Sequence, residues 1–76
     1  MNWDQQDNKL NKTFEFANFV EALAFVNKVG EIAEQMQHHP DIYMHDYKEV
    51  TISTTTHETG TITEKDHALA EAIDAL

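Results

Sequence analysis

The sequence predicts an α+β fold, a two-layer ββαββα arrangement in which a four-stranded antiparallel sheet carries both helices on one face. Two regions have apolar residues at a spacing of two, which is typical of strands, and they flank a segment with helical spacing at residues 18–37. A second segment with helical spacing ends the chain. The other face of the sheet is then open to water, a ligand or another subunit.

The first two strands are predicted ahead of residue 17. A strand over residues 9–16 has apolar side chains on one face, with Lys12 interrupting them. Trp3 belongs to a shorter strand before it, and the turn-forming pair Asp7-Asn8 joins the two.

The long helix is predicted over residues 18–37. Asn18 is a favourable N-cap residue, and Glu21 completes a capping-box pattern three residues later. Gly30 within the helix costs about 1 kcal/mol against Ala, which suggests close packing against the sheet. The stripe expected to face the core consists of Phe19, Val20, Leu23, Val26, Ala33 and Met36.

Two further strands are predicted after Pro40, which ends the long helix. They cover residues 42–45 and 48–56, with a turn at residues 46–47. The run over residues 50–56 is β-branched at all but one position, and such residues favour strands over helices. Val50 and Ile52 are expected to face the core, and the opposite face carries Thr51, Ser53, Thr55 and His57.

The last helix is predicted to begin after a loop around Gly60. Thr63 is its N-cap residue, and Asp66 stands at the N3 position of a T-x-x-D box. Its buried stripe is expected to consist of Leu69, Ala70, Ile73 and Leu76.

Length and composition indicate a single domain over residues 1–76 with a modest core. Domains of this size commonly rely on disulfides, a metal or a partner subunit, and the lack of Cys excludes disulfides and thiolate metal sites. This leaves idealised packing or self-association, and we favour self-association, either as a homodimer or as a homotetramer. No apolar run approaches the ~18 residues that span a bilayer, and no secretory-signal pattern is present, so a cytoplasmic location is expected.

The charge balance argues against several classes of partner. Five basic residues against fourteen acidic ones give a formal net charge of -9, and the chain contains no Arg. Nucleic-acid binding requires a basic face, so we expect no nucleic-acid partner and no adhesion to an anionic membrane. A neutral or cationic small molecule is a better match.

Five histidines supply groups that titrate near neutral pH. His38 and His39 lie where the long helix ends, and His57 lies where the last strand ends. These two ends can meet in an antiparallel two-layer fold, and three imidazoles at one cleft would form a site for general acid-base catalysis. His45 and His67 have no evident functional neighbour.

The same residues have structural explanations as well. A histidine at a loop or strand end is commonly a surface or packed residue. Helix capping explains Asp66, solvation explains Glu34, and packing or surface exposure explains Trp3. A metal site is not predicted, because adjacent histidines usually point in different directions and no H-x3-H or Cys pair is present.

Several fixed spacings recur between the end of the long helix and the start of the last one. Residues 34–40 have the sequence E-Q-M-Q-H-H-P, and Tyr47 follows after six residues. His57 follows after nine more residues and Asp66 after a further eight. This set resembles the acidic-x3-His-His-Pro signature and downstream spacing of the pterin-4a-carbinolamine dehydratase family.

The resemblance extends over nearly the whole chain. Residues 56–66 resemble the T-H-x-x-G-G-L-T-x-x-D run of that family, and residues 3–16 resemble its W-x6-L-x-[RK]-x-F-x-F segment. Thr61 replaces the usual second Gly. Thr54 stands where an apolar residue is usual, and we expect this to weaken the core slightly. Family members often carry an additional N-terminal helix.

The resemblance implies an activity: loss of water from a 4a-hydroxytetrahydropterin (the 4a-carbinolamine) to give the quinonoid dihydropterin. This step belongs to tetrahydropterin recycling after an aromatic amino acid hydroxylase has used its cofactor. The substrate is a small-molecule pterin, and no metal or redox cofactor is implied. Imidazoles can both protonate the departing hydroxyl and remove the N5 proton near neutral pH.

Roles for the candidate residues follow from the resemblance. His38 and His57 are expected to be the acid-base pair, with the assignment between them open, and His39 is expected to hold the pterin. Asp66 is expected to orient the His57 loop while capping the last helix. Residues expected to line or support the pocket are Glu34 and Trp3.

Two other functions are compatible with the same scaffold. One is a non-catalytic pterin-binding or accessory protein, in molybdopterin metabolism or in support of a hydroxylase, although the intact histidine set favours the enzyme. The other is a dimerisation partner for a transcription factor, a role of some animal relatives. That role would need a long exposed apolar helix face, and the last helix, residues 63–76, is short and mixed.

Overall fold

The computed structural model describes residues 3–76 and confirms the predicted α+β fold. A four-stranded sheet packs against two helices, and together they enclose one apolar core. The elements in chain order are β1 (Asp4–Gln6), β2 (Lys9–Glu15), α1 (Phe19–Met36), β3 (Asp41–His45), β4 (Glu49–Thr54) and α2 (Glu64–Asp74). Trp3 lies immediately before β1 rather than within it.

The strands are arranged in the order β1-β2-β4-β3, and every neighbouring pair is antiparallel. Phe14 of β2 lies opposite Val50 of β4, and Val50 lies opposite Met44 of β3. Because side chains alternate along a strand, this register places one row of apolar residues against the helices. Val50 and Ile52 are fully buried there, as predicted.

The predicted turns at residues 7–8 and 46–47 are confirmed. Asp7 and Asn8 form a two-residue hairpin loop between the paired residues Gln6 and Lys9, with φ of 54° and 62°. That geometry matches the right-handed twist of the strands, and Asp and Asn adopt it at little cost. The second loop has three residues, 46–48, between the paired residues His45 and Glu49, and φ is 51° at both Asp46 and Tyr47. Tyr47 is the less usual occupant of this conformation.

The capping of α1 follows the prediction at its N-terminal end. Asn18 is the N-cap, and its side-chain Oδ1 accepts a hydrogen bond from the Glu21 backbone N–H at 2.9 Å. At the other end Gln37 adopts a left-handed conformation with φ 52°, and its N–H bonds to the carbonyls of Ala33 and Glu34. The helix therefore ends before Pro40.

The buried face of α1 differs from the prediction. Four of the six residues expected in the core are exposed: Phe19 by 50%, Val20 by 73%, Leu23 by 43% and Met36 by 37%. The sheet is instead covered by Phe25, whose ring centroid lies 4.8 Å from that of Phe14 and 4.9 Å from that of Phe16. The buried positions of the helix are Ala22, Phe25, Val29 and Ala33.

The physical reason is that α1 has apolar residues on more than one side. Positions 22, 25, 29 and 33 also recur at helical spacing, and small residues at 22 and 33 allow the helix to approach the sheet closely around Phe25. Periodicity alone does not distinguish this stripe from the bulkier one. The bulkier stripe is left facing outward.

The predicted role of Gly30 is also wrong. A Cβ atom built on Gly30 would have no heavy atom within 4 Å, so the glycine does not permit a close contact with the sheet. Its only effect on the helix is then the entropic cost of glycine in a helix interior.

We predict that Gly30→Ala stabilises the protein by about 0.5–1 kcal/mol, since it removes that cost without a steric conflict. Thermal unfolding should show the melting temperature rising by roughly 4–8 °C for each kcal/mol of added stability in a domain of this size. Gly60→Ala is the matched control and should destabilise, because Gly60 has φ +70°. Equal effects of the two substitutions would contradict this interpretation.

The last helix, α2, is capped as predicted. Thr63 and Asp66 form both hydrogen bonds of a capping box. Leu69, Ala70 and Ile73 are buried as expected, but Leu76 is 52% exposed. The helix ends at Asp74, so the helical spacing no longer directs residue 76 towards the core. Among residues 3–76, neither helix is long and apolar enough to cross a bilayer.

Candidate active site

His38 is positioned by the end of α1. The left-handed residue Gln37 reverses the chain, and the His38 backbone N–H bonds to the Ala33 carbonyl at 3.1 Å. The imidazole then points to the N-terminal end of α2, where its Nε2 lies 2.6 Å from Oδ1 of Asp66. Only 11% of the His38 side chain is exposed, so the ring is held by its surroundings.

The carboxylate of Asp66 is fully buried and is surrounded by hydrogen-bond donors. Its Oδ1 accepts from the Thr54 hydroxyl at 2.6 Å as well as from His38. Its Oδ2 accepts from the Thr56 hydroxyl at 2.8 Å and from the Thr63 backbone N–H at 2.9 Å. Four donors from three parts of the chain therefore converge on one side chain.

The threonines around Asp66 come from the end of β4 and the residues that follow it. Thr54 and Thr56 continue the inward-facing row of the strand, which brings their hydroxyls towards the start of α2. The Thr63 hydroxyl lies 2.6 Å from that of Thr56. Because Thr56 donates its proton to Asp66, Thr63 must donate to Thr56, and the hydroxyls form a directed chain.

The prediction that Thr54 weakens the core is wrong. Thr54 is buried and its hydroxyl is bonded to Asp66, and among residues 3–76 no buried side-chain polar atom lacks a partner. An apolar residue at position 54 would remove one of the donors that the buried carboxylate needs. Two inward-facing hydroxyls followed by an acid at N3 are the sequence signal that could have revealed this cluster.

The hydrogen bonds set the charge of Asp66. Burial raises the pKa of this carboxyl, but the bonds from Thr54, His38, the Thr63 backbone and Thr56 outweigh burial and lower the pKa to about 2. Asp66 is therefore a carboxylate at neutral pH and can only accept hydrogen bonds. It follows that Nε2 of His38 carries a proton, which in the neutral imidazole leaves the lone pair on Nδ1.

His57 lies at the start of the exposed turn that follows β4. Thr56 closes this turn, with its N–H bonded to the Thr61 carbonyl at 3.1 Å and its carbonyl accepting from Gly60 N–H at 2.9 Å. Asp66 thus contacts the His57 loop through Thr56, and contacts His38 directly. The sequence had paired Asp66 with His57 and had not predicted the contact with His38.

His39 and Glu34 form a second, exposed pair. Nε2 of His39 is hydrogen-bonded to Oε2 of Glu34, and the side chains are 58% and 72% exposed. Pro40 follows His39 and favours an extended backbone there, so the two adjacent histidines diverge. His38 faces the Asp66 cluster, whereas His39 remains at the surface beside the last turn of α1.

Trp3 lies near the other end of α2. Its Nε1 donates to Oδ2 of Asp74 at 3.0 Å, and its ring packs edge-on against Phe14. Asp74 is eight residues after Asp66, which is roughly 12 Å along a helix. Lys12 Nζ also contacts Asp74, at 2.8 Å, so the interruption in the apolar face of β2 is explained by this ion pair.

A cavity of about 350 Å³ opens beside the His57 loop. Thr56 and Thr63, which belong to the hydroxyl chain, form part of its wall, but His38, His57 and Asp66 are not among its lining residues. The remaining lining residues are Glu58, Thr59, Glu64 and Lys65.

The sequence profile of the family described as pterin 4 alpha carbinolamine dehydratase matches residues 1–76. The chain belongs to this family. The predicted resemblance is confirmed, and so is the predicted enzyme class, since the family activity is that of a hydro-lyase.

Relatives that carry the pterin-4-alpha-carbinolamine dehydratase name come from distant organisms. The chain is 49% identical over 74 residues to one from Picosynechococcus sp., covering 97% of this chain and 79% of the relative. It is 50% identical to one from Thermomicrobium roseum and 45% identical to one from Sulfolobus acidocaldarius, covering 78% and 80% of those proteins.

Solved structures show the same fold. A transcriptional coactivator/pterin dehydratase from Brucella melitensis superimposes with a TM-score of 0.89 at 28% identity, covering 96% of this chain and 79% of that one. A pterin dehydratase-like protein identified as a RuBisCO assembly factor in the alpha-carboxysome has a TM-score of 0.77 at 23% identity, covering 96% and 83%. The second likeness concerns the fold alone.

We predict that Asp66→Asn destabilises the protein at pH 7 by about 2 kcal/mol or more. The pKa of Asp66 is about 2 in the folded chain against an ordinary 3.8, so ionisation of this group favours folding above about pH 4. That contribution is lost as the pH falls towards 2. Urea unfolding at pH 7 and pH 2.5 should therefore show the difference between wild type and variant shrinking in acid.

Asp41→Asn is the matched control, because the Asp41 side chain is 73% exposed and its ion pair with Lys9 is at 4.0 Å. It should change stability little at either pH. If the Asp66→Asn difference were the same at pH 7 and pH 2.5, the charge of the buried carboxylate would not be its source.

Proposed function

We propose that this protein dehydrates a 4a-hydroxytetrahydropterin to the quinonoid dihydropterin, and that His38 and His57 transfer the protons. Family membership supports dehydratase activity in general. The observation that supports the histidine mechanism is the contact of His38 with the buried, ionised carboxylate of Asp66. We also propose that residues 1–76 act as one domain, in the cytoplasm, without a resident cofactor.

The reaction requires two proton transfers. The hydroxyl on C4a leaves as water after it receives a proton, and the proton on N5 is taken by a base. The electron pair of the N5–H bond then forms the C4a–N5 double bond as the C–O bond breaks. One base and one acid near neutral pH are sufficient, which imidazoles can provide.

We assign the role of base to His38, because its geometry leaves one ring nitrogen for the substrate. Asp66 fixes the proton on Nε2, so the lone pair on Nδ1 is free to accept the N5 proton. The imidazolium that forms lies 2.6 Å from the Asp66 carboxylate, whose negative charge stabilises it. The same arrangement, a carboxylate behind an imidazole that acts through its other nitrogen, activates histidine in hydrolases.

His57 is then the acid that protonates the leaving hydroxyl. Its position on an exposed turn, anchored through Thr56, allows the side chain to approach a substrate from the solvent side. We assign to His39, which is hydrogen-bonded to Glu34, the role of holding the pterin. Trp3 supports the site indirectly, because its bond to Asp74 helps to hold α2.

We predict that His38→Ala and His57→Ala each lower kcat/KM for dehydration by about 10²–10⁴-fold. The measurement is a stopped-flow assay with freshly generated carbinolamine, at equal concentrations of wild type and variant. His67→Ala is the control, since His67 has no part in the proposed mechanism, and it should retain wild-type rates.

Near-normal rates in both His38→Ala and His57→Ala would overturn this assignment. A wild-type protein that binds the pterin without accelerating dehydration would instead support a non-catalytic pterin-binding or accessory function. The two results are distinguishable in one experiment if pterin binding is followed by fluorescence alongside the rate.

We propose further that the protein self-associates through the outward face of α1. Phe19, Val20 and Leu23 are 43–73% exposed and lie together on the first two turns of the helix. Large apolar side chains clustered at a surface mark interaction sites, and a chain of 76 residues has a small core of its own. A second copy would bury this face.

Val20→Glu is predicted to weaken self-association at least about tenfold, because it would place a charge in an apolar contact. Light scattering across a micromolar concentration series measures the mass. Lys28→Glu, which introduces the same residue at an exposed position on another side of α1, should leave the mass unchanged. A monomeric wild type at these concentrations would contradict the proposal.

A further inference from the structure

The β3–β4 hairpin carries a cluster of potential metal ligands outside the dehydratase site. His45 ends β3, Asp46 begins the turn, and Glu49 begins β4. One ligand atom from each residue, a ring nitrogen or a carboxylate oxygen, lies within 4.8 Å of the other two. The five-residue spacing H-D-x-x-E is shorter than the zinc-binding patterns with two histidines or two cysteines, so the sequence alone does not indicate it.

The backbone holds these three side chains in place. His45 and Glu49 are directly opposite each other in the antiparallel register, so both project from the same face of the sheet. This is the outer face, because Met44 beside His45 packs against the core on the other side. The tight turn, with φ 51° at both Asp46 and Tyr47, fixes the position of Asp46 relative to the end of β3.

The imidazole of His45 is oriented by residues outside the cluster. Its Nε2 lies 2.8 Å from the Thr51 hydroxyl, and its ring stacks on Tyr43 with centroids 4.7 Å apart. The Thr51 hydroxyl is in turn 2.8 Å from that of Thr13. Nδ1 is left facing Oδ2 of Asp46 at 2.9 Å. Histidines that bind metals usually have their second nitrogen engaged in this way.

The local charges favour a cation at this position. Lys48, which lies between the turn and Glu49, is paired with Glu15 at 3.2 Å. Within residues 3–76, Glu49 has no ion pair with a Lys or His, and Asp46 pairs only with His45. Glu15 lies opposite Glu49 across β2 and β4, so the charge of Lys48 is balanced by Glu15 and leaves the carboxylate of Glu49 to the cluster. The chain as a whole has a net charge of -9.

We propose that His45, Asp46 and Glu49 bind a divalent transition-metal ion of the zinc type. One imidazole nitrogen and two carboxylate oxygens are ligands that Zn²⁺ accepts, and three protein ligands leave a coordination position for water. Ca²⁺ and Mg²⁺ prefer sites made of oxygen alone, with more ligands. The ion binds the lone pair of Nδ1, so the one proton of the neutral imidazole is on Nε2, and this N–H donates to the Thr51 hydroxyl.

This site is independent of the dehydratase chemistry. Glu49 and Thr54 are at opposite ends of β4, roughly 16 Å apart along the strand. The ion would tie the two strands of the hairpin together at the outer edge of the sheet. Loss of the ion should therefore leave dehydration rates unchanged.

The test is isothermal titration calorimetry of the full chain with zinc chloride. NMR then follows the histidine ring signals at less than one equivalent of zinc per chain. We expect one ion per chain and a shift of the His45 signals first. Glu49→Gln and His45→Ala should each weaken zinc binding at least about tenfold. Thr51→Val should weaken zinc binding about tenfold, because the imidazole of His45 loses the hydroxyl that orients it. His67→Ala, which removes a histidine elsewhere, should bind as wild type does.

Glu49→Gln keeps the size of the side chain, so it separates loss of a ligand from loss of fold. Losses below about tenfold in both Glu49→Gln and His45→Ala would overturn the proposal. So would unmoved His45 signals while zinc binds, because the ion would then be held elsewhere, for example by the exposed His39–Glu34 pair. Absence of zinc binding at micromolar concentrations would overturn it as well.

Discussion

The buried carboxylate of Asp66 is the point at which three segments of the chain meet. It caps α2, it accepts the hydroxyls of Thr54 and Thr56 at the end of β4, and it accepts the imidazole of His38 at the end of α1. A charge without water is costly unless hydrogen bonds replace its hydration. The four donors do so, and they require the helix, the strand end and the turn after α1 to be in place together. The candidate active site is therefore a consequence of how the two layers are joined.

This dependence also explains why stability and chemistry share residues. The hydrogen bonds that lower the pKa of Asp66 to about 2 keep it ionised, and an ionised Asp66 determines which nitrogen of His38 bears the proton. A neutral residue of the same shape would cap the helix less well. It would also leave undetermined which ring nitrogen of His38 carries the proton. The capping explanation of Asp66 and the functional one are thus compatible, because one carboxylate satisfies both at different oxygens: Oδ2 bonds to Thr63 and Oδ1 to His38.

Local signals in the sequence were sufficient for most of the fold. The caps at Asn18 and Thr63, the two hairpin turns and the inward row of β4 each depend on neighbouring residues, and each was predicted. The buried face of α1 was not, because two apolar stripes share the helix and only the sheet decides between them. The same limit applies to the site. The spacing indicated His38, His57 and Asp66, but which histidine meets Asp66 depends on the left-handed turn at Gln37, a tertiary feature.

The two histidines of the proposed mechanism differ in how firmly they are held, and this difference has a physical meaning. His38 is 11% exposed and bonded to a fixed charge, so little reorganisation is needed when it takes up a proton. His57 stands on an exposed turn that is closed by the backbone of Thr56, and Thr56 in turn donates its hydroxyl to Asp66. A base must be aligned with one N–H bond of a bound ring, whereas an acid must follow a hydroxyl that departs as water. A buried, hydrogen-bonded base and an exposed acid are suited to those two tasks, and the asymmetry follows from Asp66 having a direct contact with His38.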